Sequence, residues 1–138
     1  MTPEILVMGE VLFDVYSQTD AAPAARQIGG APFNFAVHFA RHGGRAALLS
    51  AVGRDADGEN ARRILVENHV RGDYVAVSER PTGRCDVSTL PDGSPAYRLC
   101  RDAAYFAIPA PDEQQLAADH FEALYLGSLA LTTPANRE

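Results

Sequence analysis

The hydrophobic residues of this chain fall into short apolar runs that alternate with stretches of helical periodicity. Residues 5–8 form a continuous apolar run and residues 46–52 an apolar run interrupted only by Ser50, a pattern typical of strands that are buried on both faces. Shorter runs at residues 74–77 and 124–126 predict two further strands of the same kind. The chain therefore contains at least four strands of the type found in covered sheets.

Three helices are predicted between these strands. The apolar positions of residues 33–40 recur at helical spacing, and Gly43 marks where this helix ends. A second helix is predicted over residues 56–69, and a third over residues 113–118 with Asp112 as its cap. Strands that alternate with helices predict an α/β fold, in which helices pack against a parallel sheet.

Two parts of the chain alternate with a period of two and do not fit this pattern. Residues 11–17 place apolar side chains on alternate positions, as in a half-exposed strand. Residues 84–90 and 95–101 also alternate, on either side of a hairpin signal at Asp92 and Gly93. These pieces predict a small separate sheet that stands over the edge of the α/β body.

A two-residue turn at Asp92 and Gly93 sets the register of this hairpin. It places Cys85 opposite Cys100, within reach of a disulfide, although two reduced thiols are expected in a reducing compartment. It also divides the side chains into two sets on opposite faces, and the set that mixes polar, aromatic and cationic groups is the candidate face for a ligand. This set is Asp86, Ser88, Tyr97, Leu99 and Arg101, and the other is Cys85, Val87, Arg98 and Cys100.

Composition narrows the classes of function. The formal net charge of -6 argues against a nucleic-acid partner. No apolar run approaches the ~20 residues of a membrane helix, and no basic lead precedes the first apolar run, so a cytoplasmic protein without a membrane partner is expected. His38 and His42 share a helix face without a third ligand, and no metal site is expected.

The segment of residues 29–34, Gly-Gly-Ala-Pro-Phe-Asn, is the strongest candidate for binding chemistry. Gly29 and Gly30 let a ligand approach the main chain, and the free N–H groups of a helix N-terminus follow. The Asn34 amide can both donate and accept hydrogen bonds, as recognition of sugar hydroxyls requires. An ordinary tight turn before a helix explains the pattern equally well.

Asp14 is the second candidate. It lies on a strand that is otherwise lined by Val, Leu and Phe, where its carboxylate could accept hydrogen bonds from two neighbouring hydroxyls. The alternative is a surface Asp on the polar side of a half-exposed strand.

Four short motifs follow one another along the chain: Gly9-Glu10, Phe13-Asp14, Gly29-Gly30-Ala31-Pro32-Phe33-Asn34, and Val52-Gly53-Arg54-Asp55 with Gly58. In this order and spacing the chain resembles the ribokinase-like (PfkB) carbohydrate kinases, most closely their fructokinase branch. The resemblance covers essentially all 138 residues.

The resemblance implies a ribokinase-like fold in which the small sheet is a lid over the sugar. The body would comprise residues 1–10, 29–82 and 102–138, and the lid residues 11–28 and 83–101. Lids of this family often pair between subunits, which implies a homodimer. The substrate-binding residues are then expected to be Asp14, Gly29, Gly30 and Asn34, with Tyr97 and Arg101 added from the lid.

The departures from the family concern catalysis. The resemblance implies ATP and Mg2+ for the intact enzyme, and a Gly-Ala-Gly-Asp stretch whose Asp is the catalytic base. This stretch does not occur in the sequence, and no motif for ATP or Mg2+ is found. No catalytic residue is therefore assigned.

The chain is expected to be an N-terminal portion of a sugar kinase, with the C-terminal part of the fold missing. We expect the polypeptide alone to lack kinase activity. The alternative is a truncated, inactive remnant that binds sugar or dimerises.

Overall fold

A computed structural model describes residues 2–20 and 22–138. Residues 1 and 21, which the sequence assigns to body and lid, lie outside the described residues. The strands are β1 (Glu4–Met8), β2 (Leu12–Tyr16), β3 (Ala25–Gly29), β4 (Arg45–Gly53), β5 (Val75–Ser78), β6 (Gly83–Thr89), β7 (Pro95–Leu99) and β8 (Ala123–Leu126). The helices are α1 (Ala31–Arg41), α2 (Ala56–Glu67) and α3 (Glu113–Asp119), with short 3-10 helices at Ala104–Ala107, Ala130–Thr132 and Pro134–Asn136.

The main sheet has the strand order β5-β4-β1-β8 and is parallel throughout. Every residue of β4 after Arg45 is buried, as the apolar run predicts. A parallel sheet needs cover on both faces because each of its central strands is apolar on both sides. The predicted α/β class is confirmed.

Two hydrophobic clusters supply that cover. On one face, α1 and α2 pack their apolar sides against Val7, Leu48 and Val52. On the other face, the 3-10 helix Ala104–Ala107 buries Tyr105 against the strands. Ligand sites of α/β folds form at the carboxyl ends of the parallel strands.

The second sheet is mixed and has the order β3-β2-β6-β7. Its strands come from the two segments that the sequence sets apart from the α/β body. β2 pairs antiparallel with β3 and parallel with β6, and β6 pairs antiparallel with β7. The inner end of β2 is anchored in the body, since Phe13 is only 2% exposed and packs beside Phe33.

Strand β3 was not predicted as a strand. Its residues Ala25–Gly29 include a single β-branched residue, Ile28, and show no clear alternation of apolar and polar positions. Pairing with β2 places it in the sheet, and Arg26 adds a salt bridge to Asp57 at the start of α2. Tertiary contacts thus decided the conformation of this segment.

The predicted hairpin register is wrong by one residue. Cys85 lies opposite Leu99, and Cys100 donates its N–H to the carbonyl of Arg84. The two cysteines are therefore not a directly opposed pair, and both are free thiols.

The physical reason lies at Pro91. A two-residue turn would pair residue 91 with Ser94 through the N–H of residue 91, which proline lacks. The chain instead forms a three-residue loop, in which the Leu90 N–H donates to the Ser94 carbonyl and Gly93 takes a φ of +85°. The extra loop residue shifts all the pairs of β6 with β7.

The shift also corrects the predicted faces. Tyr97 and Leu99 share a face with Val87 and Cys85, whereas Asp86 and Ser88 lie on the other face with Arg98 and Ala96.

No helix among the described residues is both long and apolar enough to cross a membrane.

Candidate functional site

The candidate site lies where the carboxyl end of β1 meets the base of the second sheet. The chain leaves β1 at Gly9, passes Glu10, and enters β2, which carries Asp14. β3 then returns antiparallel to β2 and ends at Gly29, so that Leu12 lies opposite Gly29. The hairpin of β2 and β3 thereby brings Asp14 to the turn that starts α1.

The turn itself is formed by Gly29 and Gly30. Gly30 has a φ of +105°, which favours glycine, and a Cβ at this position would lie 2.5 Å from the Glu10 carbonyl oxygen. Glycine is therefore required at residue 30 by the protein's own backbone, whether or not a ligand approaches. At Gly29 a Cβ would lie 3.2 Å from Oδ2 of Asp14, so the Asp14 carboxyl reaches the turn.

Helix α1 starts directly after this turn. Gly30 is its N-cap and provides no side-chain cap, while Pro32 lies in the first turn, where a missing N–H costs no helical hydrogen bond. The Asn34 N–H donates to the Gly30 carbonyl at 2.9 Å, and the Asn34 side chain is exposed. The positive end of the helix and an exposed amide thus both lie within the first turns of α1.

Asp14 belongs to a row of side chains that crosses the second sheet. Gln27 lies opposite it on β3, Cys85 beside it on β6, and Leu99 beyond Cys85 on β7. Partial burial raises the pKa of the Asp14 carboxyl above its ordinary value of 3.8. Sequence reasoning missed both neighbours, because neither the pairing of β2 with β3, which brings in Gln27, nor that of β2 with β6, which brings in Cys85, leaves a local signal.

The two remaining candidates lie farther out. Tyr97 is on the same face as Asp14 but two strands away and two residues toward the tip, roughly 10 Å across the sheet from two strand spacings. Its side chain is 67% exposed. Arg101 follows β7, is exposed, and lies near enough to Tyr105 for its charge to favour the phenolate. The structure thus groups Asp14, Gly29, Gly30 and Asn34 closely, and Tyr97 and Arg101 less closely.

Glu10 is a further polar residue at the site that sequence reasoning did not assign. Its side chain is 5% exposed, and burial raises the pKa of its carboxyl against the opposing effect of the N–H groups of Glu10 and Ala31. The sequence does contain a signal for Glu10, namely a charged residue that follows closely on a buried strand.

The part of the chain that the structure describes presents no ready set of metal ligands. No group of three or more His, Cys, Asp or Glu side chains there is arranged to share a metal ion. We therefore assign no residue of this chain to Mg2+ or to ATP phosphates.

Comparison with known proteins gives one family. The family of pfkB carbohydrate kinases matches residues 2–138. An uncharacterized sugar kinase of Pyrococcus horikoshii is 29% identical over 139 residues, an alignment that covers 97% of this chain and 45% of that protein. A fructokinase of Salmonella typhimurium is 27% identical over 139 residues, covering 99% of this chain and 44% of that protein.

Solved structures have the same fold. The Pyrococcus horikoshii sugar kinase in complex with ATP superimposes with a TM-score of 0.83 at 29% identity, covering 96% of this chain and 46% of the other. A fructokinase of Xylella fastidiosa superimposes with a TM-score of 0.85 at 25% identity, covering 99% and 44%. The chain spans about half the length of the curated relatives it matches.

Proposed function

The chain belongs to the pfkB family of carbohydrate kinases, and we propose that it supplies the sugar-binding and lid part of an ATP-dependent kinase for a fructose-like ketose. The fructokinase names among its relatives support the choice of sugar. The Pyrococcus horikoshii relative, solved with ATP, supports ATP as the phosphate donor of the whole enzyme.

One observation carries the sugar site: the Asp14 carboxyl reaches the Gly29–Gly30 turn at the start of α1. An ionised carboxylate accepts hydrogen bonds from two neighbouring hydroxyls, and the exposed Asn34 amide both donates and accepts. Free N–H groups at the helix start add donors for further sugar oxygens. These groups suit a small polyhydroxy ligand, which needs donors and acceptors in close alternation.

We propose that Tyr97 and Arg101 complete the pocket from the lid. Tyr97 lies on the face of the second sheet that carries Asp14, and its exposed ring offers an apolar surface for the C–H groups of a sugar. Arg101 offers several N–H donors at the foot of the lid. Both would contact the sugar only when the lid lies over the turn.

We assign the transfer step itself to residues outside this chain. A kinase needs a base that takes the proton from the attacking hydroxyl and donors that stabilise the transferred phosphoryl group. The Gly-Ala-Gly-Asp stretch that the family resemblance implies for this role does not occur in these 138 residues. The described residues here would bind and orient the sugar and shield it from water.

Titration calorimetry with fructose on the 138-residue chain tests the sugar site. We expect wild-type protein to bind and Asp14→Asn to weaken binding at least about tenfold, a loss of about 1.4 kcal/mol, because the amide replaces one acceptor with a donor. Asp20→Asn is the matched control, since Asp20 is exposed in the loop between β2 and β3. Equal affinity of wild type and Asp14→Asn would remove Asp14 from the site.

A coupled assay for ATP-dependent phosphorylation tests the assignment of the transfer step. The purified chain with fructose, ATP and Mg2+ is expected to form no sugar phosphate above a protein-free blank. Product formation that Asp14→Asn abolishes would show that the catalytic groups are present in these residues after all.

We also propose a homodimer through the lid, in a cytoplasmic protein. Toward the tip of the second sheet, Tyr16 and Tyr97 are exposed on one face, where a second copy could cover them. Light scattering after size-exclusion chromatography should give twice the monomer mass, and Tyr97→Lys should return the monomer. A wild-type monomer at about 100 μM would contradict the dimer, because a Kd above that value corresponds to weak pairing.

A further inference from the structure

Two polar side chains are buried without partners beneath the candidate sugar site. Glu10 is 5% exposed and Tyr105 is fully buried. Among the described residues, neither Oε2 of Glu10 nor the hydroxyl of Tyr105 has a hydrogen-bond partner. The two side chains are close enough for the charge of Glu10 to raise the pKa of the Tyr105 phenol. Buried polar atoms are nearly always paired, so two such atoms at one place indicate a role beyond packing.

Glu10 stands between two backbone turns. A Cβ at Gly30 would lie 3.2 Å from Cγ of Glu10, and a Cβ at Gly127 would lie 3.1 Å from its Oε2. Gly127 follows β8, the neighbour of β1 in the main sheet, and Gly30 is the N-cap of α1. The Glu10 side chain thus fills the space between the end of β8 and the start of α1.

The same side chain reaches the first N–H group of α1. The N–H of Ala31 acts on the Glu10 carboxyl, while Gly30 offers α1 no side-chain cap of its own. Glu10 therefore places a carboxyl beside a helix start that has no side-chain cap of its own.

We propose that Glu10 is a positioning residue of the sugar site, whose buried carboxyl holds Gly30 and the start of α1 in the place where Asp14 and Asn34 can reach one ligand. The part of this inference that concerns sugar affinity rests on the proposed function. The part that concerns the turn does not depend on it.

Burial favours the protonated form of the Glu10 carboxyl and raises its pKa, while the N–H groups of Glu10 and Ala31 favour the ionised form and offset part of that rise. An ionised carboxylate with one oxygen unpaired in the interior would carry a large desolvation cost, whereas a neutral acid carries a smaller one. Among the described residues, Tyr105 of the 3-10 helix lies close enough to feel the charge of Glu10, and Asp14 lies at Gly29 on the other side of the turn, while Cys85, Cys100 and Arg101 act in turn on Tyr105. Raising the pH until Glu10 ionises should therefore loosen the turn.

Two variants distinguish the effect of the length of the side chain at residue 10 from the effect of its charge. Glu10→Gln keeps the length and the acceptor oxygen in a permanently neutral group, while Glu10→Asp withdraws the carboxyl by one methylene. Glu113→Gln, on the exposed side of α3, is the matched control. Thermal unfolding of all three variants shows whether each one folds.

Amide NMR spectra give the readout that needs no sugar. We expect the resonances of Gly30, Ala31 and Asn34 to shift with pH in wild type as Glu10 ionises, above the ordinary value of 4.5. In Glu10→Gln these shifts should disappear, and in Glu10→Asp the three resonances should move at every pH. Resonances in Glu10→Asp that coincide with wild type would overturn the proposal.

Calorimetry with fructose gives the second readout. Glu10→Gln should bind within about twofold of wild type at a pH where Glu10 is protonated and should keep its affinity as the pH rises above that range, whereas Glu10→Asp should bind about tenfold more weakly. An unchanged affinity in Glu10→Asp would overturn the link to the sugar. If wild type binds no fructose, the proposed function fails, and the amide spectra still decide whether Glu10 positions the turn.

Discussion

Asp55 and Thr82 are joined by two hydrogen bonds that connect the α/β body to the second sheet. The Thr82 N–H donates to Oδ2 of Asp55 at 2.9 Å, and its hydroxyl donates to Oδ1 at 2.6 Å. Asp55 is also the N-cap of α2 and accepts from the Gly58 N–H at 2.8 Å. Thr82 in turn accepts from the Gly53 N–H and directly precedes β6. One carboxylate therefore fixes both the start of a helix and the entry to the lid strands.

Asp55→Ala should destabilise the protein more than removal of an ordinary helix cap. The change leaves the Thr82 N–H without its acceptor in addition to uncapping α2, and we expect a loss of about 2–3 kcal/mol in the free energy of unfolding. Asp112→Ala removes a cap that accepts a single bond, from Gln115, and should cost about 1 kcal/mol. Urea unfolding of both variants checks this, and equal losses would contradict it.

The stabilisation from Asp55 should depend on pH. Burial alone would raise the pKa of Asp55, but the hydrogen bonds from Thr82 and Gly58 and the charge of Arg26 hold it below its ordinary value of 3.8. A folded pKa below the unfolded one means that the stabilisation is complete above about pH 4 and is lost as the pH falls through the folded pKa. The difference in unfolding free energy between wild type and Asp55→Ala should accordingly shrink below about pH 4.

Arg71→Met should destabilise the end of the body that lies away from the candidate site. Arg71 forms salt bridges of 2.8 Å with Glu4, 2.7 Å with Asp73 and 2.7 Å with Asp119, and so ties α3 to the start of β1. We expect a loss of about 2 kcal/mol, because the partly buried Asp119 and Glu4 lose a shared partner.

Arg54→Met is the control for this prediction. Arg54 forms one bridge of 3.0 Å with Glu79, and both side chains are largely exposed. Its removal should cost less than about 0.5 kcal/mol. If the two variants unfold at the same urea concentration, the Arg71 cluster does not stabilise the fold as argued.

The affinity for the sugar should rise with pH through the pKa of Asp14. Burial raises that pKa above 3.8, and only the ionised carboxylate accepts two hydrogen bonds from the sugar. We expect fructose binding in wild type to weaken as the pH falls through the raised pKa of Asp14, and this loss at low pH to be absent in Asp14→Asn. An Asp14→Asn protein that still loses affinity at low pH would refute the assignment.

Gly93→Ala should destabilise the hairpin of β6 and β7 for conformational reasons alone. Gly93 has a φ of +85°, and a Cβ there would meet no atom within 4 Å. The cost should be about 1 kcal/mol, and Gly93→Asn should cost less because Asn tolerates this region better. Hydrogen exchange of the Leu90 amide, which is bonded to Ser94, reports the opening of the loop. Equal exchange in the Ala and Asn variants would contradict the explanation.

The candidate site could be predicted from the sequence only as far as local patterns reach. Gly29, Gly30 and Asn34 are neighbours along the chain, so the turn and the helix start are local features, and both are found. Glu10, Gln27 and Cys85 enter the site through contacts across strands that no local pattern encodes. The roles of Tyr97 and Arg101 stay predictions.

The sequence by itself determined the elements of the α/β body. A strand buried on both faces is a run of apolar residues, an amphipathic helix has apolar residues at helical spacing, and both patterns are visible within a short stretch of sequence. The tertiary structure alone decided that β3 is a strand, that β2 runs parallel to β6, and that β7 is shifted by one residue against β6. Such pairings join residues far apart in the chain, and their register depends on a single detail such as the missing N–H of Pro91. The double glycine is likewise a local signal, while the reason for glycine at residue 30 is the distant Glu10 backbone.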